Sequence, residues 1–79
     1  MQHDEWEHVN ERLIRTYFFK DYDEVSEFVK KVMEIAKKQD HHPIMIVHYD
    51  SVKLSIFDME KGKVSDKCHK FALAVDKIK

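Results

Sequence analysis

Glycine and proline are scarce, each present once in 79 residues, as Gly62 and Pro43. No Ser-rich tract, single-sign charge block or internal repeat takes their place, so nothing marks a linker between units. With 43% hydrophobic residues, a chain this short holds one core rather than two, and residues 1–79 are read as a single domain. One cysteine, Cys68, excludes an internal disulfide. The opening MQHDEWEH carries charge where a secretory leader needs an apolar stretch, so the cytoplasm is the expected compartment. Apolar runs such as IMIV at 44–47 are too short to cross a bilayer, and no membrane partner is expected. Charge of one sign is also missing. Against 15 Asp and Glu stand 14 Lys and Arg, a net charge of −1, which gives no general field for a polyanion and argues against nucleic acid. A core this small, without a disulfide or metal framework, provides only a few kcal/mol of stability and points to a dimer or larger assembly.

What is present is strong periodicity. Apolar residues at Val25, Phe28, Val29, Val32, Met33, Ile35 and Ala36 follow helical spacing, and Asp21 with Glu24 forms a capping box. The spacing predicts a helix from about Tyr22 to Gln39, and Pro43 marks the change to extended chain. Residues 44–49 and 52–58 are rich in β-branched and aromatic side chains and are separated by DS, which suits a tight hairpin with Val52, Leu54 and Ile56 on one face. RLIRTYFF at 12–19 has strand character and completes an earlier hairpin beginning near Trp6. Ser65 is placed to cap a closing helix in which Cys68, Phe71, Ala72, Val75 and Ile78 share one side. The order β-β-α-β-β-α predicts an α+β fold, a four-stranded antiparallel sheet with both helices on one face.

Six histidines are the main candidates for chemistry, because imidazole exchanges protons near neutral pH without a large pKa shift. His41 and His42 precede Pro43. Neighbours in extended chain point to opposite sides, so a division of labour fits them better than a shared chelate. A helix-terminal histidine also commonly caps carbonyls or sits in solvent, and the dipeptide alone decides nothing. Zinc is the next reading, from Cys68, His69 and the pair at 41–42, but no C-x-x-C or i, i+4 histidine pair is present. His3 and His8 lie in a charged segment, and His48 falls in a strand. Tyr17, Phe18, Phe19 and Tyr22 offer stacking surfaces for a flat heterocycle, or simply core packing.

YFFKDY at 17–22, the amphipathic helix that follows, DHHP at 40–43 and Tyr49 six positions after Pro43 together resemble the pterin-4a-carbinolamine dehydratases. The resemblance runs from about Tyr17 to Ile78. It implies removal of water from 4a-hydroxytetrahydropterin to give a quinonoid dihydropterin, with neither metal nor organic cofactor. It further implies His41 for proton transfer, His42 for substrate binding and polarisation, and Asp40 beside the bound pterin. A homodimer, or a tetramer made from two dimers, is the implied assembly.

The pattern departs from the family after the second hairpin. Met59 stands where the third histidine is expected, within Phe57, Asp58, Met59 and Glu60, and the family's Gly-Gly becomes Gly62 and Lys63. Cys68 takes an acidic position of the last helix, with Asp66 nearby. A thioether carries no such proton. Asp58 or Glu60, or His41 working through water, is the expected replacement, so Asp58, Met59 and Glu60 join Asp40, His41 and His42 as expected substrate-binding positions. The competing expectation is a dehydratase-like module that has lost catalysis and acts as a protein-binding or assembly factor.

Overall fold

In the computed structural model, which describes residues 6–78, Asp21 starts the long helix α1, Tyr22–Gln39. The Asp21 side chain accepts from Glu24 N at 3.0 Å, while the Glu24 carboxylate reaches back to Lys20 N at 2.9 Å. The first bond satisfies a donor that the first turn would otherwise leave open, and the second ties the residue before the cap to the helix. Val25, Phe28, Val32 and Ala36 form its buried stripe. Met33 and Tyr22 lie outside that stripe and are exposed.

The sheet contains β1 (Glu7–Val9), β2 (Arg12–Phe18), β3 (Ile44–His48) and β4 (Ser51–Ile56), ordered β1-β2-β4-β3 with every pairing antiparallel. β4 is central, and its alternate residues Val52, Leu54 and Ile56 are fully buried. They meet α1 and the closing helix α2 (Asp66–Ile78), which supplies Cys68, Phe71, Ala72 and Val75 to the same core. The predicted α+β architecture and element order are therefore observed, with both helices serving one sheet face.

Three local details differ from the sequence reading. The β3–β4 connection is Tyr49 and Asp50 rather than Asp50 and Ser51, because Ser51 already pairs with His48 on one side and Phe18 on the other. β4 stops at Ile56, and Asp58 instead forms an isolated bridge to Lys63 that closes a loop. At α2, the Ser65 carbonyl accepts from Cys68 N and His69 N, but its hydroxyl turns away to Asp58. Ser65 thus begins the helix without the expected side-chain cap.

The four-aromatic cluster is divided by strand alternation. Tyr17 is buried and packs on Phe28, with ring centroids 4.8 Å apart, whereas Phe18 faces solvent on the opposite side. Phe19 packs on Phe28 at 5.0 Å, and Tyr22 is exposed. Core packing accounts for Tyr17 and Phe19, and none of the four lines the histidine cleft.

Candidate functional site

The end of α1 determines where the two histidines go. Asp40 adopts a left-handed conformation, φ 52°, and both its N–H and that of His41 donate to the Ala36 carbonyl. Such a C-cap turns the chain sharply out of the helix. Pro43 then keeps the following segment extended. His41 is directed inward and is 6% exposed, with its ring edge-on to Phe71 of α2 at 5.5 Å between centroids. His42 remains exposed at the rim. The expected division into inward and outward histidines is present, and it comes from a turn as well as from extended chain.

His41 Nε2 is buried and has no hydrogen-bond partner among the described residues. Burial pushes the imidazole below its ordinary pKa, and the charges of Lys67 and His42 act in the same direction while Asp58 opposes them. The neutral base is thereby favoured near neutral pH, with a nitrogen lone pair or N–H left unpaired.

Across from the histidines, the 57–65 loop is organised by Asp58. Its Oδ1 accepts from Glu60 N at 3.0 Å and Lys61 N at 3.2 Å, and its Oδ2 accepts from Ser65 Oγ at 2.6 Å. Gly62 N donates to the Asp58 carbonyl at 2.7 Å, and Gly62 itself has φ +68°, a conformation that glycine adopts without steric cost. The Ser65 hydrogen bond, reinforced by the two backbone donors, holds the carboxyl below its usual range against the opposing effect of burial. Asp58 is thus a fixed acceptor that buckles the loop, which disfavours the proton-relay role considered for it.

These elements enclose a cleft of about 150 Å³ lined by Asp40, His41, His42, Phe57, Asp58, Met59, Glu60 and Lys67. Every site residue expected from the sequence lies on its wall. Met59 is 85% exposed and Glu60 is also exposed, so the position of the missing histidine is open to solvent. Phe57 and Lys67 were not foreseen as lining residues. Phe57 is held beneath the Arg12 guanidinium, 4.7 Å from the ring centroid. Lys67 enters only because α2 starts beside the loop, a tertiary relation that no spacing rule signals.

The remaining candidates lie elsewhere. His8, His48, His69 and Asp66 do not line the cleft, and His3 lies outside the described residues. Cys68 is buried with Sγ 3.9 Å from Ser65 Oγ. Among the described residues, no three His, Cys, Asp or Glu side chains converge as a metal-binding group, and no helix is long and apolar enough to cross a membrane.

A sequence profile described as pterin 4 alpha carbinolamine dehydratase matches residues 1–78. The chain belongs to this family. Among its relatives, a candidate pterin-4-alpha-carbinolamine dehydratase of Sulfolobus acidocaldarius is 37% identical over 73 residues, spanning 92% of this chain and 80% of that one. A transcriptional coactivator/pterin dehydratase from Brucella melitensis superposes with a TM-score of 0.91 at 27% identity, covering 95% of this chain and 82% of the other. A pterin dehydratase-like protein identified as a RuBisCO assembly factor in the alpha-carboxysome shares the fold, with a TM-score of 0.83 at 16% identity over 99% and 93% of the two chains. The fold is thus shared by proteins with different described roles.

Proposed function

We propose that the cleft catalyses dehydration of 4a-hydroxytetrahydropterin to quinonoid dihydropterin and water. The observation that carries the reading is His41, a buried imidazole with an unpartnered Nε2 on the wall of a cleft in a dehydratase-family chain. In the proposed step, His41 takes the N5 proton, the N5–H electron pair forms the N5=C4a bond, and the C4a–O pair passes to the oxygen, which takes up a proton from an acid in the cleft and leaves as water. His42 and Asp40 at the same wall orient the pterin. Acid–base chemistry suffices, and the proposal requires neither metal nor organic cofactor. Assembly as a homodimer or tetramer in the cytoplasm belongs to the same proposal.

A second reading rests on Met59. Loss of one positioned acid or base costs roughly 10²- to 10⁴-fold in rate, or about 3 to 5 kcal/mol of transition-state stabilisation. An exposed thioether at that position favours a catalytically weakened module that binds a protein, a role with a parallel in the RuBisCO assembly factor of the same fold.

Dehydration of 4a-hydroxytetrahydropterin by wild type and His41→Ala, corrected for the spontaneous reaction, separates the two. The dehydratase reading predicts turnover above background that the substitution removes. A wild-type rate at background would replace it with the binding-module reading.

A further inference from the structure

We infer that Lys67 is the acid that meets the departing C4a hydroxyl, filling the chemical gap left by Met59. The inference rests on the dehydratase reading of the cleft. Lys67 lines the same cleft as His41 and His42, is half-buried, and makes no ion pair among the described residues. An ammonium in such a setting gives up part of its hydration without a directly paired carboxylate to compensate. It is therefore disposed to engage an oxygen that gains negative charge.

The backbone fixes this placement. Lys67 is the second residue of α2, and its neighbour Cys68 is fully buried in the core, which sets the rotation of the helix's first turn. Met59 and Glu60, by contrast, sit exposed on the loop. A group anchored on a helix is held more firmly than one on a loop tip. Asp58 is occupied by Ser65 and two backbone amides, and as a carboxylate it lacks a proton to give.

The step balances as follows: His41 accepts the N5 proton, the N5–H pair becomes the second N5–C4a bond, and the C4a–O pair passes to oxygen. Lys67 Nζ donates a proton to that oxygen, so the leaving group is water. Proton exchange with solvent at the open rim returns His41 and Lys67 to their starting states.

Electrostatics couples the same two groups. After burial, the Lys67 charge is the largest influence lowering the affinity of His41 for a proton. The groups disposed around His41 are Lys67 and Phe71 from α2, Asp58 and Glu60 from the loop, and Asp40 and His42 from the connection after α1. Removing the Lys67 charge should therefore move His41 towards its ordinary titration.

The test compares wild type, Lys67→Met and Lys67→Arg by turnover, by the pH dependence of kcat/KM and by NMR titration of the His41 imidazole. Lys67→Met is expected to lose roughly 10²- to 10⁴-fold in turnover, with the acid limb and the His41 titration both moved to higher pH. Lys67→Arg keeps the charge but is a poor proton donor, and is expected to keep the wild-type His41 titration while recovering only part of the rate. An active wild type with full-rate Lys67→Met, or an unmoved His41 titration in that variant, overturns the role of Lys67 and leaves the dehydratase reading standing. A wild-type rate at background removes both.

Discussion

Ser65 Oγ donates to Asp58 Oδ2 at 2.6 Å, joining the first turn of α2 to the loop that carries Met59 and Glu60. The bond explains why Asp58, although on the cleft wall, acts as a structural acceptor. Folded Asp58 holds its proton less tightly than the unfolded chain does. Its stabilising contribution is therefore complete above the unfolded carboxyl pKa, about 3.9, and is lost as pH falls through the lower folded value. Asp58→Asn is expected to lower the urea midpoint at neutral pH, and the gap from wild type should narrow below about pH 4. Urea unfolding across that range checks this, and a gap of constant size would show that ionisation of Asp58 does not hold the loop.

A second acceptor ties the N-terminal segment down. Asp76 on α2 accepts from Trp6 Nε1 at 3.1 Å, from Arg15 at 2.9 Å and from the Tyr17 hydroxyl at 2.5 Å. Burial, followed by the nearby carboxylate, raises the Tyr17 pKa and keeps its phenol a donor. Asp76→Ala leaves three donors without their acceptor and is expected to cost roughly 2–4 kcal/mol. Trp6 is the chain's single tryptophan, so its fluorescence should shift to longer wavelength in the folded variant. Unchanged emission and an unchanged urea midpoint would show that this cluster contributes nothing to stability.

The extent of what the sequence revealed follows the range of the interactions involved. Helix α1 was legible at both ends because Asp21, Glu24 and Pro43 act on their own neighbours, and Tyr22–Gln39 is the observed span. Alternation identified Val52, Leu54 and Ile56 as one core face. The hairpin turn was displaced by one residue because Ser51 pairs with strands on both sides, a gain that local turn propensity does not register. In the cleft, Asp40, His41, His42, Asp58, Met59 and Glu60 were found through family resemblance. Lys67 was not, because only the packing of α2 against the loop brings it there. The role of Asp58 was equally hidden, since it depends on a hydroxyl seven residues away.

The β1–β2 turn offers a test of backbone strain free of the site. Asn10 and Glu11 have φ values of 51° and 62°, the pair of left-handed conformations required by a two-residue type I′ hairpin. Asparagine tolerates this conformation, but glutamate bears its steric cost. Glu11→Gly removes that cost and also loosens the unfolded chain, which offsets part of the gain. The expected outcome is a net stabilisation of about 0.5–1 kcal/mol. An equal or lower urea midpoint would indicate that the exposed Glu11 contact with His8, 4.0 Å long, matters more than the turn.

Restoring a histidine at position 59 tests how the proton at the departing oxygen is supplied. Met59 is exposed on the cleft wall, so Met59→His can be accommodated without repacking the core. If Lys67 already gives that proton, a second donor adds little, and wild type should gain less than about tenfold in turnover. In a Lys67→Met background the same imidazole would replace a missing acid and should recover roughly 10²-fold or more. Such unequal gains are the signature of two groups serving one step, whereas independent sites act additively. Turnover of the wild type, both single variants and the double variant completes the cycle. Equal gains in the two backgrounds would assign positions 59 and 67 to separate tasks.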